Sequence, residues 1–241
     1  MIFNKKKSLF CALDTKDLSL AVSLVNTVKG HIDGIKIGLE AYYSIGIEGY
    51  RQLEEIGIPI FLDLKLHDIP NTVHSAIKAL LPLKPAILNI HASGGEKMMK
   101  SAVEAISDSF GHKPLLIGVT VLTSLDSDDL IKIGVNGDSN KQALRLAELA
   151  KNSGLDGVVC SPFEAARIKE ICGNDFITIV PGIRPKGSAA NDQKRFMTPH
   201  QAINNGADII VIGRPITASE DPLKAVIGIR EDMNIWNTRL V

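Results

Sequence analysis

Asp63, Lys65 and Asp68 lie in the run Phe61-Leu62-Asp63-Leu64-Lys65-Leu66-His67-Asp68, and Lys36 lies in a second apolar run, Gly34–Gly38. In an extended strand successive side chains point to opposite faces. Leu62, Leu64 and Leu66 then share one face, and Asp63 and Lys65 share the other. Two inward charges are costly unless paired. A bracing ion pair would account for Asp63 and Lys65 but leaves Lys36 without a reason. An array of Lys36, Asp63 and Lys65, with Asp68 at its edge, is the arrangement that perturbs proton affinities and gathers at catalytic sites. Asp68 has the opposite parity and lies past the strand end. It is either a solvated loop carboxylate or a group that reaches a neighbouring subunit's site.

A second set of residues suits an anion. Gly213-Arg214 follows one apolar run, and Pro181-Gly182-Ile183-Arg184 follows another. A glycine lets backbone approach closely, and a guanidinium offers a planar fork of donors to phosphate. Either arginine alone also fits a solvated surface charge. The polar segment 184–195 is long enough to be a lid, in which Gln193 would swing over a ligand, or a plain mobile loop. Asp14, Asn89, His91, Thr123 and Ser124 are the other polar residues at the ends of apolar runs. His67, His74 and His91 show no HxxxH or HExxH spacing, so metal ligation has weak support and structural roles are favoured.

The elements that would position these groups alternate. Short β-branched runs at Ser8–Leu13, Gly34–Gly38, Ile58–Leu66, Ala86–His91, Pro114–Thr120, Gly157–Cys160, Phe176–Val180 and Asp208–Ile212 read as eight strands. Helical patterns fall between them, among them Gly49–Ile56, Thr72–Leu80, Lys97–Ser107, Asn140–Asn152, Pro162–Ile171 and Thr198–Asn205. Gly57, Gly154 and Gly206 sit where helix C-caps would fall, and Asp221-Pro222 reads as an N-cap and first helical residue. Eight strand–helix units of about 30 residues imply parallel strands with crossover helices, and the economical closure is an α/β, single-domain (β/α)8 TIM barrel over residues 1–241. An open doubly wound sheet is the alternative, but no GxGxxG follows the first strand. A barrel places its active site at the C-terminal strand ends, where the polar residues named above fall.

Composition bounds the function classes. The 241 residues carry 27 Lys plus Arg and 27 Asp plus Glu, so no global field draws nucleic acid or an anionic membrane. The 45% hydrophobic and 22% charged fractions exclude a disordered chain. No apolar run approaches the roughly 20 residues of a membrane helix, and no signal-peptide cleavage site is read. Cys11, Cys160 and Cys172 form no CxxC pair and suit a reducing, cytoplasmic setting as small buried apolar residues.

The run Asp63-Leu64-Lys65-Leu66-His67-Asp68-Ile69-Pro70-Asn71-Thr72 resembles the DxKxxDIPNT signature of the orotidine 5'-phosphate decarboxylase family. Ala12-Leu13-Asp14, Lys36-Ile37-Gly38, Val121-Leu122-Thr123-Ser124, Pro181-Gly182-Ile183-Arg184, Asp192-Gln193-Lys194-Arg195 and Ile212-Gly213-Arg214-Pro215 follow the family's order, in the layout of its shorter bacterial branch. The resemblance spans Asp14 to Arg214. It implies conversion of orotidine 5'-monophosphate to uridine 5'-monophosphate and carbon dioxide without a cofactor or metal. It implies Lys65 as the proton donor to pyrimidine C6, with Asp63 and Lys36 completing the charge array. Asp14 and Lys36 would meet the ribose, Thr123 and Ser124 would lie near the base, Pro181 would also bind the substrate, and Gln193 would bridge base and phosphate. Gly213, Arg184 and Arg214 would hold the phosphate. It also implies a homodimer in which Asp68 and Thr72 reach the partner's site. The rival from the same superfamily is a sugar-phosphate decarboxylase or aldolase that needs Mg²⁺, held partly by a Glu at the end of strand two, where this chain has Lys36. A catalytically silent phosphate-binding barrel is the second rival.

Overall fold

Runs rich in Ile, Val and Leu that end at Gly, Asp or Pro become the strands. The computed structural model describes residues 7–185 and 197–233. Its strands are β1 (Ser8–Leu13), β2 (Gly34–Gly38), β3 (Ile60–Leu66), β4 (Ile87–His91), β5 (Leu115–Val119), β6 (Gly157–Val159), β7 (Ile177–Val180) and β8 (Ile209–Ile212). They follow one another in sequence order as a closed barrel, a (β/α)8 fold. Every position of β1, β7 and β8 is buried, as expected of parallel strands covered on both faces.

The helices are α1 (Leu18–Val28), α2 (Leu39–Glu54), α3 (Pro70–Leu80), α4 (Glu96–Ser107), α5 (Ser127–Lys132), α6 (Ser139–Asn152), α7 (Ala165–Cys172), α8 (Pro199–Asn204), α9 (Arg214–Thr217) and α10 (Pro222–Asp232). Side-chain caps fix several starts: Asp17, Asp138 and Asp221 each accept a backbone N–H from three residues on. Asp126 with Asp129, and Thr198 with Gln201, form reciprocal capping boxes. Gly57, Gly154 and Gly206 take φ of 83°, 90° and 94°, the left-handed conformation that ends a helix at little cost to glycine. The sequence pattern starts α2 ten residues late, at Gly49. The helix begins at Leu39 and passes a non-helical Gly46, φ 61°.

The described residues divide into two compact units, one drawn from Met1–Asp63 and Val180–Val241, the other Leu64–Ile179. In the first, Asp33, just before β2, accepts the Leu9 N–H at 2.8 Å and pairs with Arg230 at 2.6 Å. Arg230 Nε also donates to the His31 carbonyl at 2.7 Å. In the second, Asp156, just before β6, accepts the Leu116 N–H at 2.8 Å. In each case a carboxylate ahead of one strand ties down the beginning of the strand before it. Among the described residues no helix is long and apolar enough to cross a membrane.

Candidate active site

In the first unit β2 places Lys36 between the fully buried Ile35 and Ile37, so its side chain leaves the opposite face. The register pairs Lys36 with Ala12 of β1 and Phe61 of β3, and Gly38 with Asp63. The lysine stem runs past Gly38, where an added Cβ would lie 2.9 Å from Lys36 Nζ. The ammonium ends 3.2 Å from Asp63 Oδ2 and 3.6 Å from Asp14 Oδ1. Side-chain exposure is 14% for Lys36 and 9% for Asp63, against 52% for Asp14, so Lys36–Asp63 is the desolvated half of this array. Beneath it Cys11 is fully buried. Burial first, and then Asp14, push its thiol up to about 12 against the pull of Lys36, which makes it an inert protonated residue.

The turn after β8 lies beside the same array. A Cβ on Gly213 would come within 3.3 Å of Asp14 Oδ2 and 3.4 Å of the Ala12 Cβ. Arg214 follows, exposed, as the first residue of α9. Arg184 is buried rather than a solvated charge: its Nη1 donates to the Ile183 carbonyl at 3.1 Å, and its backbone N–H donates to the Met197 carbonyl at 3.1 Å. That last bond joins the two ends of the long polar loop. Pro181 is half-buried at the end of β7. Gln193 lies outside the described residues.

In the second unit Lys65 is half-buried near the end of β3 with φ of 51°. A left-handed non-glycine residue costs about 1–3 kcal/mol and gathers at functional sites. The strict alternation expected through Asp63 and Lys65 therefore stops before Lys65, whose side-chain direction is set by that torsion. The Lys65 N–H donates to Asn89 Oδ1 of β4 at 2.7 Å. The sequence pattern shows Asn89 as a polar residue in an apolar strand but gives no role for it. Asp68 is exposed, its Oδ1 accepting the Ile69 N–H at 2.7 Å, and Thr72 is exposed in the first turn of α3. Thr123 and Ser124 are exposed on the turn after β5. The His67 and His91 rings lie with centroids 5.2 Å apart and their planes tilted by 35°.

The structure thus gathers Asp14, Lys36, Asp63 and Gly213 into one constellation and leaves Asp68 and Thr72 exposed around the start of α3, and Thr123 and Ser124 exposed on the turn after β5. A profile of the orotidine 5'-phosphate decarboxylase / HUMPS family matches residues 7–229. The chain belongs to that family. It is 48% identical over 216 residues to an orotidine 5'-phosphate decarboxylase of Erythrobacter litoralis, covering 90% of this chain and 94% of that one. It is 46% identical over 233 residues to the enzyme of the same name from Gluconobacter oxydans, with coverage of 95% and 98%. The crystal structure of orotidine 5'-phosphate decarboxylase from Lactobacillus acidophilus superimposes with a TM-score of 0.82 at 39% identity, covering 94% of this chain and 99% of that one.

Proposed function

We propose that the protein decarboxylates orotidine 5'-monophosphate to uridine 5'-monophosphate and carbon dioxide, as the cytoplasmic enzyme for that step of pyrimidine synthesis, with the barrel as a single catalytic domain of 241 residues. Membership of the family and the names of its relatives support the reaction. Among the geometric features, the Lys36 ammonium 3.2 Å from Asp63 carries the reading. A magnesium-dependent sugar-phosphate decarboxylase or aldolase needs a carboxylate at that strand-two position, and a cation there repels a metal.

In the proposed mechanism the C6–carboxylate bond breaks, carbon dioxide leaves, and the electron pair stays on C6 in the plane of the ring, where the π system cannot take it up. Lys65 faces that charge as an ammonium and gives its proton to C6. The neutral amine then regains a proton from water. A charge pair at about 4 Å is worth roughly 4 kcal/mol at an effective dielectric of 20. Enzymatic barriers fall by about 8–23 kcal/mol, so the larger share must come from preorganisation and remote binding. We assign that remote binding to the phosphate, held by Gly213, Arg184, Arg214 and Gln193, with Asp14 and Lys36 at the ribose, Thr123 and Ser124 near the base, and Pro181 also binding the substrate.

A homodimer with shared sites completes the proposal, Asp68 and Thr72 reaching the partner's substrate. Exposed apolar residues support it: Ile69, 66% exposed beside Asp68, and Leu39, Tyr43 and Ile47 on α2. The test is ultraviolet absorbance of orotidine 5'-monophosphate incubated with the protein and EDTA. Steady conversion is expected. No conversion until Mg²⁺ is restored would support the sugar-phosphate branch, and no conversion in either condition a silent barrel.

A further inference from the structure

We infer that Asn89 is a positioning residue for the reaction, holding the backbone of Lys65 in the conformation that aims its ammonium. The inference rests on the reading of Lys65 as the proton donor. Lys65 is the sixth of seven residues in β3, yet its φ is 51°. In a regular strand the pleat decides where a side chain leaves the backbone. At Lys65 the torsion decides it, because a left-handed residue swings the Cα–Cβ bond away from the pleated direction. A lysine has no local preference for that region, unlike glycine or asparagine, so tertiary contacts must impose it.

Asn89 supplies such a contact. It is the central residue of β4, 1% exposed, flanked by Leu88 and Ile90 at 1% and 0%. A carboxamide in that setting is costly unless it is hydrogen-bonded. Its Oδ1 accepts the Lys65 N–H at 2.7 Å, a short bond within one compact unit. On its other side β4 pairs with β5, Asn89 opposite Ile117, so the residue is anchored by the ladder while its side chain reaches β3. A leucine would fill the space and leave the Lys65 N–H without this acceptor. The backbone could then relax toward the pleat and carry the ammonium away from C6, and displacements of about 1 Å cost on the order of a hundredfold in rate.

Asn89→Leu removes the acceptor while keeping the branched skeleton of the side chain, and Asn89→Asp keeps an oxygen at the same place. Steady-state turnover of orotidine 5'-monophosphate, binding of uridine 5'-monophosphate, and exchange of the ¹⁵N-labelled Lys65 amide are measured on both and on the wild type. Asn89→Leu should lower kcat by about ten- to a hundredfold, leave KM and product binding within about twofold, and lose protection at the Lys65 amide. Asn89→Asp should recover most of the kcat and the protection. If Asn89→Leu does not accumulate as folded protein, Asn89→Thr, whose hydroxyl stops one bond short, takes its place with the same expectations. Unchanged kcat in the acceptor-less variant, equal losses in kcat and binding affinity, or no recovery with aspartate would each overturn the inference. A wild type that does not turn over the substrate overturns the reading of function instead. The amide exchange needs no substrate and then still decides whether Asn89 holds Lys65.

Discussion

Replacing Lys36 with methionine takes an ammonium from between two carboxylates while keeping most of its stem. At 3.2 Å the attraction to Asp63 is about 5 kcal/mol at an effective dielectric of 20 and about 1 kcal/mol in bulk water. Exposures of 14% and 9% place the pair nearer the first figure. The contact with Asp14 adds little, because it is longer, 3.6 Å, and Asp14 is 52% exposed. Desolvation of both ions offsets much of the gross attraction, so the pair is worth little net, whereas removing one partner of a buried pair costs about 3–5 kcal/mol. The structure therefore predicts a thermodynamic cycle. Lys36→Met should lose about 3 kcal/mol in urea unfolding followed by circular dichroism at pH 7. Asp63→Asn in the Lys36→Met background should restore at least half of that loss, giving a coupling of at least about 1.5 kcal/mol. Both variants should be inactive toward orotidine 5'-monophosphate. Strictly additive losses would refute the coupling, and substantial turnover by the folded Lys36→Met variant would refute its place in the catalytic array.

Gly213→Ala should fold normally but push a methyl against Asp14 Oδ2 and Ala12, raising KM for the phosphorylated substrate by about tenfold, roughly 1.4 kcal/mol, while binding of unphosphorylated orotidine changes less. Burial is the main cause that pushes the Glu164 carboxyl above its ordinary value of 4.5, opposed by hydrogen bonds from Ser161. Its protonated form is favoured by folding, so its contribution to stability is full below pH 4.5 and is lost as pH rises through the raised value. The melting temperature of Glu164→Gln relative to the wild type should accordingly be higher at pH 7 than at pH 4, and an unchanged difference would remove Glu164 from the pH dependence. Lys65→Ala and Asp68→Ala, each inactive alone, should regain roughly a quarter of wild-type activity when mixed and allowed to exchange subunits, because half the dimers are mixed and each has one intact site. Exchange confirmed by mass spectrometry without recovery would place Asp68 in its own chain's site.

The strands were legible because a buried parallel strand is a short β-branched run with a turn residue at each end, and β1 and β2 coincide with their runs residue for residue. The helix caps were legible for the same local reason: Asp221 before Pro222, and glycine after the last turn. The first half of α2 was hidden because Gly38, Gly46 and Gly49 mask its helical period, and packing overrides their weak propensity. Lys36 beside Asp63 followed from strand position alone, since neighbouring strands bring fixed residues together. The torsion of Lys65 had no local signal, and neither did the burial of Arg184. Both residues are held by contacts outside their own segments: the Lys65 N–H donates to Asn89, and the Arg184 N–H donates to the Met197 carbonyl.

The two lysines of the proposed site are fixed by different means, and the difference bears on what each can do. Lys36 is held electrostatically, its ammonium 3.6 Å from Asp14 and 3.2 Å from Asp63. That suits a fixed positive charge. Lys65 is aimed from its backbone, by a strained torsion and a hydrogen bond to its N–H. That suits a group that must meet the reacting atom at a fixed place. The opposite ends of the strands carry the compensating stability. Asp33 with Arg230 and Leu9, and Asp156 with Leu116, are well-partnered contacts remote from the loops that bear the proposed chemistry. A barrel can separate these tasks because the C-terminal strand ends feed the functional loops while the N-terminal ends do not. Strain at Lys65 is then tolerated, since the contacts that hold the fold do not depend on the residues that perform the reaction.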